Sequence, residues 1–202
     1  MGFKAGRAIQ LGSGNTLIGS NAGANLTNGL DNLLLGYKSG FSLNTGSYNV
    51  VLGPEAGYNL NTGGYNIYAG YQSAYNNQSG SYNINVGYKT GFTSTTNANN
   101  IHIGYEAGYD SIANDNIFIG TSTGVQNTTG TNNIFVGQNA GYGNNPNNQQ
   151  IGDDNIFMGT DAGNANDNGY RNIFLGYQSG KASIGGSKNV FIGENTGSTG
   201  ST

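Results

Sequence analysis

Along this chain the apolar residues come in short runs fenced by an asparagine on one side and a glycine on the other. The segment Asn155-Ile156-Phe157-Met158-Gly159 has ten relatives, and their starts lie 17 residues apart except for one step of 16 and one of 22. With each Asn as position 1, position 2 is Ile, Leu or Val except at Thr16. Position 4 is always apolar and position 5 is always Gly. Position 7 is polar throughout, position 8 is Ala, Ser or Thr, and position 9 is Gly except at Ala74. A further Gly recurs at position 15, as in Gly46, Gly63, Gly80, Gly130 and Gly169. Self-similarity at a fixed short period is the mark of a repeat architecture, in which each unit buries its apolar face against its neighbours.

The pattern within one unit predicts a short β-segment. Side chains alternate across a strand, so positions 2 and 4 share a face, and their constant apolar character predicts that this face is buried. Glycine at 5, 9 and 15 predicts corners. Positions 7 and 8 then read as a second short segment with the polar residue outward and the small one inward. The expected fold is all-β: a β-solenoid (β-roll) of about eleven 17-residue turns, forming a single repetitive domain over residues 1–202. The chain opens at position 4 of a unit and closes at position 14. Both ends therefore read as uncapped, as in a segment of a longer protein or a subunit that stacks end to end. The 22-residue unit carries its extra residues in GNNPNNQQIG, residues 143–152, which is expected to loop out at a corner.

Two columns follow from the stacking. Asn15, Asn32, Asn49, Asn66, Asn83, Asn100, Asn116, Asn133, Asn155, Asn172 and Asn189 occupy position 1 without exception. They are expected to form an amide ladder up the stack. Position 3 should point the opposite way from positions 2 and 4, that is, outward. It reads Leu17, Leu34, Val51 and Tyr68, then Phe118, Phe135, Phe157, Phe174 and Phe191. An outward stripe this apolar needs a partner, so it is the expected self-association surface.

Composition narrows the function. There are 37 Gly and 34 Asn in 202 residues, both poor helix formers, so a helical bundle is excluded. Charged residues are 8% and the net charge is −3, which supplies no basic stripe for nucleic acid. No apolar run approaches membrane-span length. Cysteine is absent and His102 is the only histidine. His102 falls in column 3, where it could serve as an ion site on an axis between chains or simply break the stripe. Glu55 and Glu106 share position 7 three turns apart, too far for a glycosidase pair. Asp153, Asp154, Asp161 and Asp167 crowd around one turn and read as solvated corner residues. No nucleophile–base–orienter set can be assembled, so neither enzymatic activity nor a cofactor or metal is expected. Aromatic residues at position 6 (Tyr37, Tyr71, Tyr88, Tyr105, Tyr177) and position 10 (Phe41, Tyr58, Tyr75, Phe92, Tyr109, Tyr142) form partial columns, suited either to inter-turn stacking or to sugar binding.

The unit N-[IV]-F-[IV]-G-x-x-[AS] resembles the N-S-V-A-I-G-x-x-[SA] repeat of trimeric autotransporter adhesin heads, and similar Asn-, Gly- and Tyr-rich arrays are found in phage tail-fibre proteins. The likeness covers essentially the whole chain. It implies a left-handed parallel β-roll, a parallel homotrimer, and a place on a cell surface or virion. Two features depart from that family: the turn of 17 residues is longer, and Phe replaces the small residue at position 3. The expected function is that of a structural protein, a rigid extracellular fibre, filament or stalk built by stacking and self-association. The alternative is an adhesin or tail-fibre segment that binds surface glycans. An ice-binding face on the position-14 column (Thr45, Thr62, Ser79, Thr96, Thr129) and a depolymerase resting on Asp153 to Asp167 are weaker rivals. No nucleic-acid partner and no membrane insertion are expected.

Overall fold

The computed structural model describes residues 2–143, 152–182 and 185–198; most of the 143–152 insertion lies outside them. The chain divides into two compact units, Met1–Asn100 and Ile101–Thr202. Each is a β-solenoid. Among the described residues there are eleven strands and no helix.

Unit 1 contains β1 (Thr16–Ile18), β2 (Leu33–Leu35), β3 (Val50–Leu52), β4 (Ile67–Ala69) and β5 (Ile84–Val86). Each pairs in parallel with the next, in register at the repeat period, as in Leu17↔Leu34 and Val51↔Tyr68. Unit 2 contains β6 (Ile101–Ile103), β7 (Ile117–Ile119), β8 (Ile134–Val136), β9 (Ile156–Met158), β10 (Ile173–Leu175) and β11 (Val190–Ile192). They pair in the same way, and β8 and β9 keep register across the lengthened turn, Phe135 opposite Phe157. Branched residues at 2 and 4 favour the extended backbone of each three-residue strand.

Position 5 ends the strand. Its glycines have φ between 123° and 140°, and a Cβ on Gly36 would stand 2.5 Å from the Gly53 carbonyl oxygen of the next turn. Only glycine combines that backbone with that close approach. The second short segment expected at positions 7 and 8 is instead a left-handed corner. Position 7 has φ of 50° to 57° in every unit, whether it is Lys38, Glu55, Gln72 or Ser122. The last position of each unit, such as Tyr48, Tyr65 or Arg171, also has φ near 60°. Such residues are normally disfavoured there. They are held by ladder bonds that run through the corners, for example Lys38 N–H to Ser20 O at 2.9 Å and Tyr48 N–H to Leu30 O at 2.9 Å.

The core corrects the expected sidedness. Position 3 points inward: Leu34, Val51, Tyr68, Phe118, Phe135, Phe157 and Phe174 are fully buried, and Leu17 and Phe191 are half-buried. Positions 2 and 4 are the outward ones, with Ile18, Leu33, Leu35, Ile67, Ile119, Ile134 and Met158 exposed. The reason lies in position 1. The asparagine amide turns into the solenoid, and alternation along the strand then carries position 3 inward with it. Position 8 and, in unit 1, the leucines of position 12 (Leu26, Leu43, Leu60) complete the interior.

Candidate functional surface

The position-1 asparagines are interior, and their amides link successive turns. In unit 1, Asn49 Nδ2 donates to Asn32 Oδ1 and to the Gly63 carbonyl, both at 3.0 Å, while its own Oδ1 accepts from the Asn66 backbone N–H and Nδ2. Asn15, Asn32, Asn66, Asn83 and Asn100 continue this column. Each of these amides replaces the hydrogen bonds it loses on burial. In unit 2, Asn172 and Asn189 bond in the same way, Asn116 Oδ1 accepts from Asn133 N–H, and Asn133 Oδ1 accepts from Asn155 N–H. Asn133 Nδ2 has no partner among the described residues. Its carbonyl acceptor would come from the turn that carries the insertion, where Gly152 O accepts from Asn155 Nδ2 instead.

Column 3 therefore cannot serve as a surface for partners, and Leu17, Leu34, Val51, Tyr68, Phe118, Phe135, Phe157, Phe174 and Phe191 do not form an outward self-association stripe. In unit 2 the five phenylalanines form one continuous stack with ring centroids 4.7–5.0 Å apart and planes within 11°. His102 lies on top of this stack, 5.1 Å from Phe118, fully buried rather than on an axis between chains. Neither of its ring nitrogens has a hydrogen-bond partner among the described residues, and burial lowers its pKa to about 3. The Tyr68 hydroxyl is buried toward Asn83 without a hydrogen bond of good geometry, and burial pushes it up. Glycine at position 9 makes room for column 3: a Cβ on Gly163 would be 2.5 Å from the Phe157 ring. Ala74, the exception, sits where column 3 in the following turn narrows to Asn85.

The outward face carries the other aromatics. In unit 1 the last position of each turn stacks Tyr48 on Tyr65 at 4.8 Å and Tyr65 on Tyr82 at 5.1 Å. Position 10 stacks Phe41, Tyr58, Tyr75 and Phe92 at 5.0–5.3 Å, and position 6 pairs Tyr71 with Tyr88 at 5.5 Å. No constant residue type marks the Tyr48 column in the sequence, because the position before each Asn also holds Gly14, Asp31 and Asn99. Between positions 6 and 10, Lys38 Nζ stands 5.1 Å from the Tyr37 centroid and 5.6 Å from that of Tyr58, and Lys89 stands 5.4 Å from Tyr88 and from Phe92. A side-chain hydrogen bond with Tyr37 raises the Lys38 pKa, and Glu55 accepts from Gln72 Nε2 at 2.8 Å. In unit 2 the corresponding side is polar, with a groove of about 370 Å³ lined by Ser122, Asn139, Tyr142 and Asn164.

The four aspartates near the insertion do not converge. Asp153 accepts from the Thr131 backbone and hydroxyl, Asp154 pairs with Arg171 at 3.4 Å, and Asp167 is buried. Asp161 receives Asn139 at 3.1 Å and Lys181 at 3.1 Å. Burial favours its neutral form, but these donors outweigh that and hold the carboxyl below its ordinary value. Among the described residues no group of three or more His, Cys, Asp or Glu could hold a metal ion. Asn127 heads Asn127-Thr128-Thr129, a pattern that permits N-glycosylation, but it is buried with both amide atoms bonded to Gly130, so the folded chain does not offer it. No protein-family model, curated protein or solved structure matches this chain.

Proposed function

We infer that the chain is a structural protein, a segment of a rigid fibre, filament or stalk that lies outside the cell, on a cell surface or virion. It works by stacking β-solenoid turns and by self-association, as a parallel homotrimer. The observation that supports this most is how completely the repeat is spent on joining one turn to the next. Strands, corners, asparagine amides and aromatic rings all bond along the same direction. A solenoid of this kind gains stability from each nearest-neighbour interface, which suits load-bearing length rather than chemistry at one point.

The alternative, an adhesin or tail-fibre segment that binds host surface glycans, relies on the tyrosine columns. Sugar stacking needs free ring faces, and the rings within each ladder cover one another's faces and leave their edges outward. Sedimentation velocity and electron microscopy of the purified chain test the structural reading. It expects elongated multi-chain particles. Compact monomers that bind a glycan array, and lose that binding when Tyr71 and Tyr88 are changed to Ala, would replace it with the adhesin reading.

A further inference from the structure

Unit 1 leaves one face of its sheet unpartnered. It consists of the outward strand positions 2 and 4, flanked by the Tyr48–Tyr65–Tyr82 column on one side and by position 6 on the other. Across residues 32–88 none of these positions carries a charge. In unit 2 the column that holds Tyr48 and its neighbours reads Asp115, Asn132, Asp154, Arg171 and Lys188, the mark of a solvated edge. Depletion of charge together with enrichment in tyrosine is what separates the core of an interface from ordinary surface.

The size of the face is also that of an interface. Tyr48, Tyr65 and Tyr82 are 46, 54 and 60% exposed, and Tyr37, Tyr71 and Tyr88 are 48, 43 and 39% exposed. At about 200 Å² for a whole tyrosine, these six present roughly 600 Å². Leu33, Leu35 and Ile67, 37–43% exposed, raise the total to about the 800 Å² that each partner of a standard interface buries. Isolated monomers seldom leave so large an apolar patch in water.

We propose that this strand face of residues 32–88 is where a second copy of the chain docks, each chain of the parallel trimer turning the same face toward their common axis. The argument for a second copy is commensurability. The columns repeat once per turn, at ring spacings of 4.8–5.5 Å, so a partner makes the same contact at every turn only if its own surface has that period. Another copy of the chain has it by construction, and the chains of a closed homo-oligomer present equivalent patches about one symmetry axis. The edges of the tyrosine rings bring apolar surface together with hydroxyls that can bond across the contact. The docking face rests on the fibre reading above and names the surface that such a fibre uses between chains.

The test compares the association of the wild-type chain by sedimentation equilibrium with that of the double variant Leu35→Lys/Ile67→Lys. Both substitutions project into solvent in the single chain and leave column 3 and the asparagine ladder intact, and a thermal melt checks that they do. Ile134→Lys, at position 2 of unit 2, serves as a control. The proposal expects the wild type to associate, the double variant to do so at least about tenfold more weakly because it brings unpaired charge into a desolvated contact, and the control to stay close to wild type. Undiminished association of a folded double variant overturns the docking face and leaves the fibre reading standing. A wild type that remains monomeric at its highest soluble concentration, and forms no elongated particles, overturns both. Monomers that bind phosphatidylcholine vesicles or a glycan array through this face would give it a different occupant and also overturn the proposal.

Discussion

The two units run one backbone plan with opposite uses of their large side chains. In unit 1 the aromatic rings stand mostly outside, in three ladders, while Leu34, Val51, Leu43 and Leu60 fill the core. In unit 2 the ladder is inside, where Phe118, Phe135, Phe157 and Phe174 pack against the position-8 alanines. The exchange is a matter of volume. Where column 3 is Leu or Val, column 12 is Leu26, Leu43 or Leu60; in the turns of Phe118 and Phe157 it is Asn127 and Asn166. One large and one small residue, or two of middle size, fill the same cross-section at the density of a packed interior. Charge follows the same division. Residues 1–100 hold four basic and two acidic side chains (+2), and residues 101–202 hold three basic and eight acidic (−5), which together give the net −3. Unit 1 has placed its rings at the surface, where Lys38 and Lys89 lie over them, and unit 2 has placed its phenylalanines inside and carries more of the charge.

The most severe way to break this comparison is to empty column 3 of unit 2. Phe157→Ala should cost about 3–5 kcal/mol in denaturant unfolding, since the ring lies between two others. The sharper version is an exchange. Phe157→Leu alone leaves a gap in the cross-section, and Phe157→Leu/Asn166→Leu refills it while removing the acceptor of the Gly169 N–H, so it should recover part of the loss. Strict additivity of the two changes would show that columns 3 and 12 do not share volume.

Next in size is Gly163→Ala, which puts a methyl 2.5 Å from the Phe157 ring at φ +57° and should cost about 2–3 kcal/mol. Gly91→Ala in unit 1 has nearly the same φ but meets the Asn85 side chain at 3.0 Å, so its melting temperature should fall less. Equal losses would place the whole penalty in the backbone.

The asparagine ladder offers a third comparison. Asn49→Ala removes the donor to the Gly63 carbonyl and the acceptor of two Asn66 donors, and should cost about 2–3 kcal/mol. Asn133→Ala removes the acceptor of a single backbone bond and an amide already without a partner among the described residues, so about 1 kcal/mol is expected. A larger loss at Asn133 than at Asn49 would contradict this account of the ladder.

The last of these effects is pH-dependent. His102 is held neutral in the folded chain, with a pKa lowered from 6.5 to about 3. Below pH 6.5 the unfolded chain takes up a proton that the folded chain refuses. Stability therefore falls as pH drops from about 6.5 toward 3, by about 2 kcal/mol between pH 7 and pH 5. Urea melts across this range should show that slope, and His102→Phe, which extends the ring stack, should remove it.

Much of the fold was legible in the residues. The period, the asparagine ladder and the glycine corners at 5 and 9 all follow from what those positions tolerate, but the interior side of the ladder does not. The facing of the strand did not follow, because positions 2, 3 and 4 of a unit such as Ile156-Phe157-Met158 are all apolar and alternation cannot choose between them. The deciding clue was Asn155 itself. An amide that ladders inside the solenoid fixes Phe157 on the inner side, and that parity outranks the constancy of positions 2 and 4. The left-handed corners at Lys38 and Tyr48 were hidden for a different reason, since those residue types have no preference for that backbone and are held there by neighbouring turns. The pairing of columns 3 and 12 was visible as Leu34 with Leu43 against Phe157 with Asn166, once column 3 is known to face inward.

The most direct test of the structural reading is cryo-electron microscopy of the native material, with particle mass measured alongside. The account predicts elongated particles of several chains, with turns repeating every 4.7–4.9 Å or so along the long axis and the Leu35–Ile67 strand face buried between chains. Compact single-chain particles with that face open to solvent would contradict it.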